Sequence, residues 1–182
     1  MKDNKVKFMT TTALMAAVIC ILGPLSIPIG PVPISLTNFA IYITMYVLGT
    51  KKGTVAFLVY LLLGLVGLPV FSGFSGGPWK LFGPTGGYLI GFIPMAIVIG
   101  LFLKKHYANR IACIIVMEAA TWIAYLLGSA WLAVQSNLSL SAALAAGVLP
   151  FILLDLIKIV ISSILGPILR TRLAPFTGIN EE

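Results

Sequence analysis

Apolar positions along the chain fall into six runs, at about residues 8–25, 34–49, 54–71, 86–103, 111–134 and 148–169, and the segments between them collect charges, glycines and prolines. A bilayer core about 30 Å thick takes about 20 helical residues, so each run reads as a membrane-crossing helix, the second being short. The first run follows Lys2, Lys5 and Lys7 much as a secretory signal would, but Gly23, Pro24 and Pro28 stand where a small-x-small cleavage site belongs. It counts as an uncleaved span. The pattern predicts an all-α integral membrane protein: a single bundle of six transmembrane helices, one domain over residues 1–182, with no internal repeat, low-complexity segment or linker dividing it.

The basic residues orient that bundle. Lys2, Lys5 and Lys7, then Lys51 and Lys52, then Lys104, Lys105 and Arg110, then Arg170 and Arg172 all fall at alternate connections, while the intervening segments 24–33, 72–85 and 135–147 hold only Lys80. An excess of Lys and Arg marks cytoplasmic loops. Both termini are therefore expected in the cytoplasm, which an even number of spans requires, and the chain in the cell membrane, as a multi-pass protein of a bacterial plasma membrane.

Composition excludes the main competing classes. The 182 residues are 59% hydrophobic and 9% charged, against about 25% charged in an ordinary soluble domain, too few to cover a water-facing surface. A net charge of +7 is a common mark of a nucleic-acid partner, but there is no basic run with interleaved aromatics and the charge is explained by topology: the ten basic residues of the cytoplasmic segments against Asp3, Glu181 and Glu182. Cys20 and Cys113 lie inside apolar runs as small packing residues, so neither a disulfide framework nor a metal site is expected. His106, beside Lys104 and Lys105, reads as a solvated turn residue. Without a G-x4-G-K-[ST] pattern the chain is not expected to hydrolyse nucleotide itself, and no cofactor is implied.

Two outer segments carry candidate chemistry. Residues 24–33 hold five Gly or Pro and cannot be helix. Residues 69–87 combine many Gly and Pro with Phe71, Phe74, Trp79, Leu81 and Phe82, either folding over the bundle end or forming a lid over a small-molecule pocket. Gly83-Pro84-Thr85-Gly86-Gly87-Tyr88 leads into the fourth span, where converging backbone N–H groups and a helix N-terminus suit a carboxylate, or simply make a tight entry turn.

The remaining charges lie inside the bilayer. Asp155 and Lys158 share one face of the last span at a spacing of three, roughly 10 and 15 Å from the outer surface at about 1.5 Å per residue. Each costs about 2.5–3.5 kcal/mol at a helix centre, so the pair must face the bundle interior or a wet cavity and marks a functional site by default. The alternative is a mutual salt bridge that serves packing only. Glu118, in the fifth span, is a third buried charge, readable as a protonated carboxyl within the bundle. Asn38, with Thr37, interrupts the second span as cavity lining or as an interhelical hydrogen bond. Ala13 and Ala17 on the first span make a small-residue surface, with Ala16 and Cys20 near it, for a partner helix or for internal packing.

Several of these elements together resemble the BioY family, the biotin-specific S components of energy-coupling factor (ECF) transporters. They are Ile27-Pro28-Ile29-Gly30-Pro31-Val32-Pro33-Ile34-Ser35-Leu36, Gly64-Leu65-Val66-Gly67-Leu68-Pro69-Val70-Phe71, Gly83-Pro84-Thr85-Gly86-Gly87-Tyr88-Leu89-Ile90-Gly91-Phe92, and Asp155-Leu156-Ile157-Lys158. The resemblance implies six helices with both termini inside and an outward-facing biotin pocket. It also implies a membrane coupling subunit and two ATP-hydrolysing subunits as partners, with Ala13 and Ala17 matching the stripe through which such S components contact the coupling subunit. Where the family often carries Gln, this chain has Thr37 followed by Asn38, so that any ligand-contacting role passes to them or is lost. With biotin as the ligand, Asp155 is expected to accept from the ureido N–H groups, Lys158 to donate to a ligand oxygen, the backbone around Thr85, Gly86 and Gly87 with Lys80 to meet the carboxylate, and Trp79 and Tyr88 to supply apolar walls; the reverse orientation of the ligand is the alternative. The competing readings are an S component for thiamin or riboflavin, an intramembrane enzyme using Asp155 and Lys158, and a structural subunit.

Overall fold

The computed structural model describes residues 2–179, with side chains from residue 5. Glu181 and Glu182 and the side chains of Lys2 and Asp3, which enter the charge tally above, lie outside the described residues. The protein is helical: α1 (Lys2–Leu22), α2 (Thr37–Leu65), α3 (Pro78–Phe82), α4 (Gly86–His106), α5 (Arg110–Ser136), α6 (Leu140–Gly147) and α7 (Leu149–Thr177), with a two-stranded antiparallel hairpin, β1 (Ser26–Ile27) and β2 (Ile34–Ser35), between α1 and α2. Among the described residues five helices, α1, α2, α4, α5 and α7, are long and apolar enough to cross a membrane. With many of their large apolar side chains outward, Leu14, Leu101, Ile115 and Leu153 among them, they need an apolar solvent around them.

The helix α2 contains both the second and the third of the predicted spans. Gly49 inside it has φ 73° and ψ −172°, a region open essentially to glycine alone. The chain reverses there, and Gly53 packs back against Thr44 and Met45. The sequence reading placed a longer connection over residues 50–53; instead a single residue makes the turn and Thr50 to Gly53 are already helical. Boundaries elsewhere shift as well. The third span ends at Leu65 and not Phe71, because Gly67, at φ 104°, turns the chain out of the helix. Residues 34–35 belong to β2. The last helix runs past Leu169 to Thr177, with Pro167 and Pro175 inside it, and stops where Gly178 takes the left-handed conformation.

Helices α4 and α5 approach closely because small residues line their contact. A Cβ on Gly91 would lie 2.9 Å from Ala124 Cα, and Gly128 receives the Tyr88 ring. Tyr46 fills the equivalent space over Gly166 between α2 and α7. The basic residues Lys51, Lys104, Lys105 and Arg170 gather at one end of the bundle, where Lys52 Nζ donates to Thr177 O at 2.8 Å and Lys7 Nζ to Pro175 O at 2.8 Å. The β hairpin, α3 and α6 cover the opposite end.

Candidate functional site

Beneath the hairpin lies a cavity of about 60 Å³. Its polar floor comes from α7. Asp155 is 4% exposed, and its Oδ1 accepts from Lys158 Nζ at 2.8 Å while Oδ2 accepts from the Tyr125 hydroxyl at 2.7 Å. Lys158 Nζ also donates to Ser35 O at 2.7 Å and to Asn38 Oδ1 at 3.1 Å. The ammonium thus has an acceptor for each of its three protons, whereas the carboxylate, with about four lone-pair sites, retains room for two further donors. Helical spacing of three put Asp155 and Lys158 on one face; α2 and α5 supply Asn38 and Tyr125, and β2 presents the Ser35 carbonyl.

Above the floor the walls are largely apolar: Phe92 and Leu89 from α4, Phe151 from α7, Val32 and Pro33 from the hairpin. Tyr88 adds a ring that packs on Gly128 and whose hydroxyl is hydrogen-bonded to Ser129 Oγ at 3.1 Å, so that its polar end is already engaged. Thr37, Ser72 and Thr85 are the remaining polar lining. Such a mixture, an apolar slot with a few convergent polar groups, is the ordinary make-up of a small-molecule site.

The structure thus brings together Asp155, Lys158, Asn38, Tyr88 and Thr85, and leaves the other candidates outside the lining. Gly86 and Gly87 are buried in packing: a Cβ on Gly86 would collide with Leu81 O and one on Gly87 with the Trp131 side chain. The Gly86 N–H already donates to Gly83 O at 2.9 Å. Trp79 on α3 is 65% exposed, with Lys80 Nζ 5.8 Å from its ring centroid; partial burial draws the Lys80 ammonium below its ordinary pKa. Glu118 is half-buried on α5, one carboxyl oxygen having no partner. Ala13 and Ala17 face outward while Ala16 is buried, so the stripe divides between the two sides of α1.

Tyr125 escaped the sequence reading although a signal existed. Glu118, Thr121, Tyr125 and Ser129 recur at intervals of three and four, a polar stripe along α5. Thr121 bonds the Tyr42 hydroxyl at 2.7 Å, Tyr125 meets Asp155 and Ser129 meets Tyr88. Ser35 could not be found this way, because its contribution is a backbone carbonyl.

The fold and site define a multi-pass membrane protein that holds a small ligand near one end of a helical bundle. Residues 1–175 match the model of the BioY family. A biotin transporter BioY of Thermotoga maritima is 42% identical over 155 residues, 84% of this chain and 89% of its own, and a biotin transporter BioY2 of Lactococcus lactis is 37% identical over 166 residues, 91% of each chain. A crystal structure of the S-component for biotin from an ECF-type ABC transporter superposes with a TM-score of 0.86 at 38% identity, covering 94% of each chain. The chain belongs to the BioY family.

Proposed function

We propose that this protein is the biotin-specific S component, the substrate-capture subunit, of an ECF-type vitamin transporter. It is a transport component and not an enzyme. The observation that carries the ligand assignment is the unequal saturation of the buried pair. Asp155 can accept two more hydrogen bonds without rearrangement, and Lys158 can take a new acceptor only in exchange for one it has. A cyclic urea, with two N–H groups and a carbonyl side by side, suits that arrangement, the N–H groups meeting Asp155 and the oxygen meeting Lys158. Tyr88, Phe92 and Phe151 enclose the fused rings, and the aliphatic chain runs toward Thr85 and Ser72 of the lining. Gly86 and Gly87 shape the entry to α4, while Trp79, Lys80 and Glu118 contribute little to affinity.

Counting α2 as two crossings gives six, in a single domain, with both termini and the basic end in the cytoplasm and the cavity opening outward through the cell membrane's outer face. The outward position of Ala13 and Ala17 supports their use as a contact for a membrane coupling subunit, with two ATPase subunits driving release inward. Titration of the detergent-purified chain with biotin, thiamin and riboflavin by calorimetry tests the substrate. Biotin alone is expected to saturate the protein, one per chain; binding of thiamin or riboflavin in its place, or of none of the three, overturns the reading.

A further inference from the structure

A second cavity, of about 360 Å³, lies at the basic end. Thr50 and Lys51, just past the Gly49 turn, form one side, Leu101 and Lys104 of α4 another, and Arg170 of α7 with Ile179 the rest. Arg170 is 5% exposed, yet among the described residues its Nε has no acceptor and its Nη1 reaches only Leu103 O, at 3.5 Å. Its guanidinium stacks over Tyr107 at 4.3 Å from the ring centroid, which fixes the fork without neutralising it. Three cations therefore line one cavity and, among the described residues, no carboxylate does. An unpaired buried guanidinium is costly unless something anionic completes it. The second half of α2 starts at Thr50 and adds helix N-terminal partial positive charge.

We propose that this cavity binds the phosphate of an anionic phospholipid headgroup. Phosphate is the chemistry that a planar guanidinium fork flanked by two ammonium groups recognises. The membrane is the favoured source because Leu101, 60% exposed and apolar, forms the rim, so the cavity is bordered by surface that faces acyl chains. A headgroup seated there joins the α2 turn to α4 and α7, three elements that otherwise meet at this end through few polar contacts.

Native mass spectrometry of the full chain in detergent tests this with phosphatidylglycerol against phosphatidylcholine of identical acyl chains. Preferential retention of phosphatidylglycerol is expected. The Lys51→Gln/Lys104→Gln variant is expected to lower its affinity about thirtyfold, from about fivefold per basic residue near a membrane surface. Both lysines are exposed, so this variant carries the test even where Arg170→Gln fails to fold. The Lys5→Gln/Lys105→Gln variant removes the same charge from the same end outside the cavity and is expected to keep the preference. Equal retention of the two lipids, or equal losses in the two double variants, overturns the site. Displacement of the lipid by millimolar inorganic phosphate overturns the membrane source.

Discussion

Asp155 is the residue whose change separates ligand capture from mere packing. Its two oxygens accept from Lys158 at 2.8 Å and Tyr125 at 2.7 Å, and hydrogen bonds to a charged group contribute about 1.5–3 kcal/mol each. Asp155→Asn keeps the shape and one acceptor but leaves the Lys158 ammonium without its counter-charge. Breaking a buried pair from one side costs about 3–5 kcal/mol. Because Ser35 O and Asn38 Oδ1 still hold Lys158, the lower end applies, a fall in Tm of about 6–12 °C for a chain of this size. Biotin loses two bonds to a carboxylate and meets an amide N–H instead, about 3–4 kcal/mol or a 10²- to 10³-fold rise in Kd. The Asp155→Asn/Lys158→Met variant removes both charges, which is close to neutral for stability, so its Tm is expected to recover while biotin binding does not. Calorimetry and thermal unfolding in one detergent read both quantities. Biotin binding by the double variant within about threefold of the parent would falsify the ligand role and leave the pair as a packing device.

Three other changes probe the rest of the molecule. Gly49→Ala forces a Cβ into the glycine-only turn of α2 and is expected to lower stability by about 1–3 kcal/mol, seen as a lower Tm with an unchanged biotin Kd. Trp79→Ala removes a side chain that is 65% exposed and outside the cavity lining; a Kd within about threefold of the parent is expected, and a larger loss would mean that α3 closes onto the ligand. Ala13→Leu with Ala17→Leu places bulk on the outward face of α1, so uptake by cells should fail while the purified protein binds biotin normally. Loss of binding as well would show that the face packs internally.

The apolar runs located the long helices because their lengths match a bilayer and few polar residues interrupt them. The Asp155–Lys158 contact was legible for the same reason: helical periodicity fixes which side chains share a face, and two charges in lipid must find each other or a cavity. What escaped was set by tertiary structure or by very short elements. Two-residue strands carry no alternation to detect, so β1 falls in a segment legible only as non-helical and β2 falls inside the predicted second span. Helix α6 had a local signal, Ser139 capping the Ala142 N–H at 3.2 Å, but its segment resembled an ordinary connection. Gly86 and Gly87 illustrate the limit in the other direction. Their pattern suggested a ligand cradle, yet Leu81 and Trp131, close to the two glycines in space, account for the need for small residues there.

The bond from Lys158 to Ser35 O has a kinetic consequence. It ties the hairpin to the buried ammonium, so the empty protein supplies its own competitor, a backbone carbonyl tethered at high effective concentration. A ligand oxygen that displaces it exchanges one charge-assisted bond for another and adds little net affinity, but it frees β2 from α7. Two ligands alike in their donors to Asp155 and differing only in that acceptor should therefore differ less in Kd than in the rates at which they enter and leave. Vitamin recognition and the release of β2 from α7 would be read by the same three protons.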